Sequence, residues 1–398
     1  MKLLAFDRFL LFAAGSVFAL LSVINSEFFW LFLPKELLSK MAAVLFFIGM
    51  FIVFWVNGVS FNPKKRFLIY LAVALFLSWL LVLFFLPFVD LGFFGLAVNL
   101  YSVFVILGFS FLRSSHLAGK YLLLGYYVVV LIALCLVLKF QGVVDSSGNI
   151  LALFVVISFV VSFIFSPVLG FCSLIFCFFV SLSTVARMGT ALSLVSIVVL
   201  LVYPLVSKEK LLLTDNFSLY PGAVSRLVLP SLLLVLYLMS LVIAVFFRDN
   251  MGLNSLLTYR PILWGSAVQG LSSTSVYGYL IPANFLDDIS YQSGRLVYSY
   301  YNWEGDIKSY SSHSFVMENI NRWGVFGTAA IFLSCLWPVY RFSSLWARFS
   351  IFLILVNGLG ATVLVGTGNM FGVLLLLLMW IGAASDESTP ERSVCAAS

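Results

Sequence analysis

The sequence predicts an all-α integral membrane protein of about 12 transmembrane helices, with one large outer loop between the ninth and the tenth. Three observations predict it. Of the 398 residues, 63% are hydrophobic and only 10% charged, where soluble domains carry about 25% charged residues. The apolar residues fall in runs, and about 20 such residues cross a hydrocarbon core as a helix whose backbone groups bond internally. The cations concentrate in alternate connections between these runs, as the positive-inside rule requires.

Taken in order, spans are expected near 9–24, 41–57, 67–86, 91–112, 121–140, 150–166, 167–185, 188–206, 229–247, 315–340, 347–365 and 366–384. The apolar stretch 28–33 extends the first. Lys2 and Arg8 followed by Phe9 to Ile24 resemble the charged and apolar regions of a signal peptide. With so many spans following, an uncleaved first helix is the better reading. The sixth and seventh runs meet at Pro167, which leaves open one broken helix or two. Residues 1–247 would hold the first nine helices, 248–314 the large loop, 315–384 the last three helices and 385–398 a polar tail.

Charge tests the orientation. With both termini cytoplasmic, the inside receives Lys2, Arg8, Lys64, Lys65, Arg66, Arg113, Lys120, Lys208, Lys210, Arg226, Arg341, Arg348 and Arg392. The outside receives Lys35, Lys40, Lys139, Arg187, Arg248, Arg260, Arg295, Lys308 and Arg322. Five of these nine belong to the long loop and its exit, where the rule loses force. The acids divide the other way, so the cytoplasmic side is the positive one.

The basic balance, a net charge of +6, is spread over short loops. No basic stripe or nucleic-acid motif accompanies it, which argues against a nucleic-acid partner. The cysteines Cys135, Cys172, Cys177, Cys335 and Cys395 lie in apolar runs and the tail, a pattern of neither a disulfide framework nor a metal site.

The long loop holds Tyr277, Tyr279, Tyr291, Tyr298, Tyr300, Tyr301 and Tyr310 from the chain's 17 tyrosines. Such an aromatic content disfavours disorder, and long connections in compact proteins are commonly functional. The loop is expected to fold over the outer mouth of the bundle. Its tyrosines would stack on sugar rings or form an interfacial aromatic belt. Asp287 and Asp288 have no histidine or cysteine nearby to complete a metal site. Neither a P-loop nor a G-x-S-x-G element is present.

Three basic residues map to the outer side. Arg187 stands between two apolar runs, in Ser183-Thr184-Val185-Ala186-Arg187-Met188-Gly189-Thr190. It reads as an anion ligand, because a guanidinium offers five donors that match phosphate oxygens. The plainer reading is a snorkelling arginine at a helix end or a hairpin turn. Arg260 precedes Pro261, a residue tolerated in the first helical turn. That places Arg260 where free N–H groups favour an anion, with Trp264 four residues on along the same face. The alternative is an amphipathic helix lying on the bilayer. His313 sits at the expected water–lipid boundary in Ser311-Ser312-His313-Ser314. Cations around it favour the neutral imidazole, which suits a general base. The other histidine, His116, maps to the opposite side.

Together these segments resemble the O-antigen ligase and polymerase superfamily of bacterial envelope enzymes. The first element is Thr184-Val185-Ala186-Arg187-Met188-Gly189-Thr190, with Ala186 where the family has serine. The second is Arg260-Pro261-Ile262-Leu263-Trp264, with Tyr259 where an acid is frequent. The third is His313-Ser314-Phe315-Val316-Met317-Glu318-Asn319 followed by Gly324 and Gly327. There Ser314 replaces the usual asparagine, and Arg322-Trp323 the acid before the first glycine.

The resemblance implies a metal-independent and cofactor-free glycosyltransferase acting at the periplasmic face of a bacterial inner membrane. Its donor would be a glycan on undecaprenyl diphosphate. Arg187 and Arg260 would bind the diphosphate, Arg260 and His313 would be catalytic, and Trp264 and Glu318 would support them. A polymerase would pass the chain to the next lipid-linked repeat, with a chain-length regulator and a flippase as partners. A ligase would pass it to lipid A–core, and the change at Arg322 leans away from that. In a different class stands a transporter or flippase for lipid-linked oligosaccharides, which would place ionisable residues near the bilayer midplane.

Overall fold

The computed structural model describes residues 4–24, 35–59, 65–84, 93–113, 116–139, 147–184, 186–207, 223–247, 250, 252–253, 257, 261, 264, 299–301, 307–309, 314–342, 344–359 and 370–385. Among these the chain forms helices α1 (Ala5–Ile24), α2 (Lys35–Asn57), α3 (Arg66–Phe84), α4 (Phe93–Phe111), α5 (His116–Lys139), α6 (Ser147–Ile164), α7 (Pro167–Ser183), α8 (Arg187–Ser207), α9 (Ala223–Phe246), α10 (Phe315–Arg341), α11 (Leu345–Asn357) and α12 (Met370–Ser385). Each falls on one expected apolar run. The stretches Ala5–Ile24, Leu117–Lys139 and Leu227–Phe246 are long and apolar enough to cross a membrane.

One element departs from an all-α chain. Strands β1 (Ser299–Tyr301) and β2 (Ile307–Ser309) pair antiparallel inside the long loop, with Tyr300 opposite Lys308. Tyrosine and isoleucine favour the pleated backbone, and Gly305 lies in the sequence between the strands, a residue suited to a hairpin connection.

Three helices form the centre of the bundle. Every residue is buried from 150 to 162 in α6, from 346 to 355 in α11 and from 371 to 383 in α12. A helix that is apolar all round has no face to give to water, so neighbours enclose it. Phe159 of α6 meets Phe349 of α11 with ring centroids 4.8 Å apart.

Small residues let backbones touch where α1 crosses α5. A Cβ on Gly15 would stand 1.8 Å from the Leu122 carbonyl oxygen, and one on Gly125 2.0 Å from that of Phe12. This is the packing that membrane helices use when apolar burial offers no preference between lipid and protein. Beside it the Tyr126 hydroxyl donates to Ser22 Oγ at 2.6 Å.

The junction at Pro167 is a turn between two helices. Ser166 caps α7, its Oγ accepting from the Leu169 N–H at 3.3 Å, and Pro167 occupies the first turn. The two helices then run antiparallel, for Gly170 lies against Ser162 and the Ser158 carbonyl. A second hairpin joins α7 to α8, with the Ala186 N–H donating to the Ser181 carbonyl at 2.9 Å.

Cross-contacts define two ends of the bundle. At one, Lys65 Nζ and Trp380 Nε1 both donate to the Leu112 carbonyl oxygen. Lys120 lies over the Phe165 ring and Arg8 over that of Tyr121. Arg348, fully buried, donates from Nε to the Val339 carbonyl at 2.6 Å, among the last carbonyls of α10. Lys65 and Arg348 enter the charge count as loop cations. In the structure they are buried and cap helix C-termini, where orphan carbonyls and the negative dipole end welcome a cation.

The run expected at 315–340 is a helix but not a straight rod. Seventeen positions separate Phe315 from Phe332, a rise of about 25 Å in a straight helix. Their ring centroids are 6.3 Å apart, and Tyr237 of α9 meets both. The helix is therefore sharply bent between them, where Gly324 and Gly327 lie. Glycines are among the recognised causes of such kinks.

Candidate functional site at the Arg187 end

The opposite end gathers the first turns of α6, α8 and α10 with the last turn of α11. Gly189, in the first turn of α8, packs on Ser181 and approaches Leu151 of α6. Because Phe159 meets Phe349 near the start of α11, α6 and α11 run antiparallel, and Leu151 lies toward the α11 C-terminus. There the Phe315 N–H donates to the Gly358 carbonyl oxygen at 2.7 Å. The starts of α8 and α10 thus share one end.

Arg187 is exposed and is the first residue of α8. The unpaired N–H groups of a helix start and the guanidinium carry the same sign. The turn that presents Arg187 is held by the Ala186–Ser181 bond and by the Thr184 hydroxyl, which donates to the Val180 carbonyl at 2.9 Å.

Ser314 is buried at the N-cap of α10, and its side chain makes no capping bond. The Phe315 N–H finds its acceptor on Gly358 instead, which ties the start of α10 to the end of α11. The Phe315 carbonyl accepts from Asn319 Nδ2 at 2.7 Å. Tyr237 closes the arrangement from α9, its hydroxyl donating to the Leu355 carbonyl at 2.7 Å.

Of the residues singled out in the sequence, Arg187 and Trp264 are described with their side chains. Pro261 and Trp264 are both helical and buried, Trp264 at 6% exposure. Arg260 and His313 lie outside the described residues. Glu318 has a described backbone, in the first turn of α10, but its side chain lies outside. His313 is two peptide units from Phe315, a reach of at most about 7 Å.

Asn357 escaped the sequence reading. It is 1% exposed at the last position of α11, between Leu355, which accepts from Tyr237, and Gly358, which accepts from Phe315. Its Nδ2 is a buried donor without an acceptor among the described residues. Trp264 Nε1 is another. Buried donors are nearly always paired, so each such exception asks for an explanation. The asparagine next to a glycine at the end of an apolar run was the signal available in the sequence.

This chain matches no protein-family model, no curated protein and no solved structure.

Proposed function

We propose that this protein is a polysaccharide polymerase of a bacterial inner membrane. It would transfer a glycan from undecaprenyl diphosphate to a hydroxyl of the next lipid-linked repeat at the periplasmic face. The twelve helices are read as spans, both termini as cytoplasmic, and the Arg187 end as the periplasmic one. The observation that carries the reading is that the starts of α8 and α10 lie at the same end of the bundle. It supports an arrangement in which Arg187 and the segment after His313 serve one substrate.

The acceptor hydroxyl oxygen attacks the anomeric carbon, and the bond from that carbon to the phosphate oxygen breaks. The electron pair leaves with the polyprenyl diphosphate, whose charge Arg187 and Arg260 neutralise as it develops. His313 takes the hydroxyl proton. The donor bond already stores the energy, so the scheme requires neither nucleotide nor metal. Lys65 and Arg348, the two fully buried cations among the described residues, are occupied in capping helix ends. That favours an enzyme over a carrier with a midplane charge relay.

The test is turnover of a synthetic prenyl-diphosphate-linked repeat by the purified protein in detergent. Longer products from the wild type, and a loss of about 10²–10⁴-fold in His313→Ala, are expected. Normal chain growth in both His313→Ala and Arg260→Ala would refute the site. A lipopolysaccharide gel of a strain lacking the gene separates acceptors. Core bearing a single repeat means polymerase, and bare core with long chains left on the lipid carrier means ligase.

A further inference from the structure

At the end opposite the candidate site, three arginines stand next in sequence to residues that pack around buried Lys65. Lys65 is bonded to the Leu112 carbonyl, and Arg66 and Arg113 are the next residues along the chain from this pair. Phe67 meets Phe342 with ring centroids 6.1 Å apart, and Arg66 and Arg341 directly precede these two residues. All three arginines are exposed, and none has a carboxylate partner among the described residues. Arg341 lies 5.7 Å over the ring of Trp337, itself 48% exposed, the aromatic type that settles at headgroup level.

Beneath this cluster runs an apolar surface. Helix α3 packs between α4 and α10. Its Tyr70, Val73 and Leu77, spaced along one face, are 66%, 49% and 54% exposed, and Leu333 of α10 is 65% exposed. Three exposed guanidiniums above exposed apolar side chains match a ligand with an anionic head and acyl tails. Cations gathered at one headgroup level repel one another, and an anion between them relieves that repulsion.

We propose that Arg66, Arg113 and Arg341 form a headgroup site for an acidic membrane phospholipid, with its tails along α3 and α10. The arginines would hold phosphate oxygens through charge-assisted hydrogen bonds, and the site lies on the face read as cytoplasmic. It is separate from the glycan chemistry at the other end and rests only on the chain being a membrane protein.

The experiment is native mass spectrometry of the purified full-length protein with phosphatidylglycerol, cardiolipin, phosphatidylcholine and a prenyl monophosphate. Retained adducts of the first two, and weak ones of phosphatidylcholine, are expected for the wild type. Each Arg→Gln change should weaken phosphatidylglycerol binding about fivefold, and the triple variant about a hundredfold. Arg8→Gln, at the same end but in contact with Tyr121, should leave it unchanged. The triple Arg→Lys variant keeps the charge and should recover part of the affinity, which separates binding from misfolding. Equal binding by the triple Arg→Gln variant, or an equal loss in Arg8→Gln, overturns the site. Tighter retention of the prenyl phosphate than of either phospholipid overturns the choice of ligand.

Discussion

A Cβ placed on Gly327 would stand 2.6 Å from the Cβ of Trp323, one turn earlier in α10. In a straight helix such positions are about 5–6 Å apart. The close approach marks the bend that folds the first turns of α10 back toward Tyr237 and Gly358. The segment from Phe315 onward is thereby held at the Arg187 end by the α10 kink.

Gly327→Val should relieve that approach only by opening the bend, since Ser78 Oγ and Leu75 stand next, at 3.3 and 3.5 Å. A destabilisation of about 1–3 kcal/mol is expected, together with a loss of turnover larger than the loss of folded protein. Thermal unfolding in detergent beside the turnover assay checks both. Full activity in Gly327→Val would mean that the bend has no part in the site.

The two buried cations are expected to be structural. Lys65→Met strips one of two donors from the Leu112 carbonyl and should cost about 1–3 kcal/mol. Trp380→Phe removes the other, so the double variant should be non-additive. Arg348→Met should lower stability through the Val339 carbonyl in the same way. Melting temperatures of the four variants decide it, and additive effects at Lys65 and Trp380 would show that the shared acceptor does not couple them.

Two helices at Pro167 rather than one broken helix set the sidedness of everything downstream. Periplasmic-reporter fusions ending at residue 186 should be active, and fusions ending at residue 166 inactive. The reverse pattern would place Arg187 in the cytoplasm and end the proposed reaction.

Asn357→Leu removes a buried donor that has no acceptor in the structure. The folded state should be as stable as the wild type or about 1 kcal/mol more so. If the amide serves the glycan donor, turnover should fall at least about tenfold, the loss of one charged-acceptor hydrogen bond. Unchanged turnover with raised stability would assign Asn357 to the fold alone.

Much of this architecture is legible in the residues. The apolar runs determine the twelve helices found among the described residues, because satisfying the backbone of an apolar segment is a local requirement. Arg187 at a helix boundary and Pro261 at a helical position are legible for the same reason. Three things are not local. The antiparallel turn at Ser166–Pro167 depends on Gly170 reaching Ser162, which no hydropathy run reveals. The burial of Lys65 and Arg348 depends on carbonyls at Leu112 and Val339, 47 and 9 positions away. The α10 bend and the buried Asn357 amide depend on Tyr237, Phe332 and Gly358 meeting across three helices. Composition decides where the chain is apolar. Only tertiary contact decides which polar atoms remain inside and which of them find partners, because a hydrogen bond is satisfied by distance in space and not in sequence.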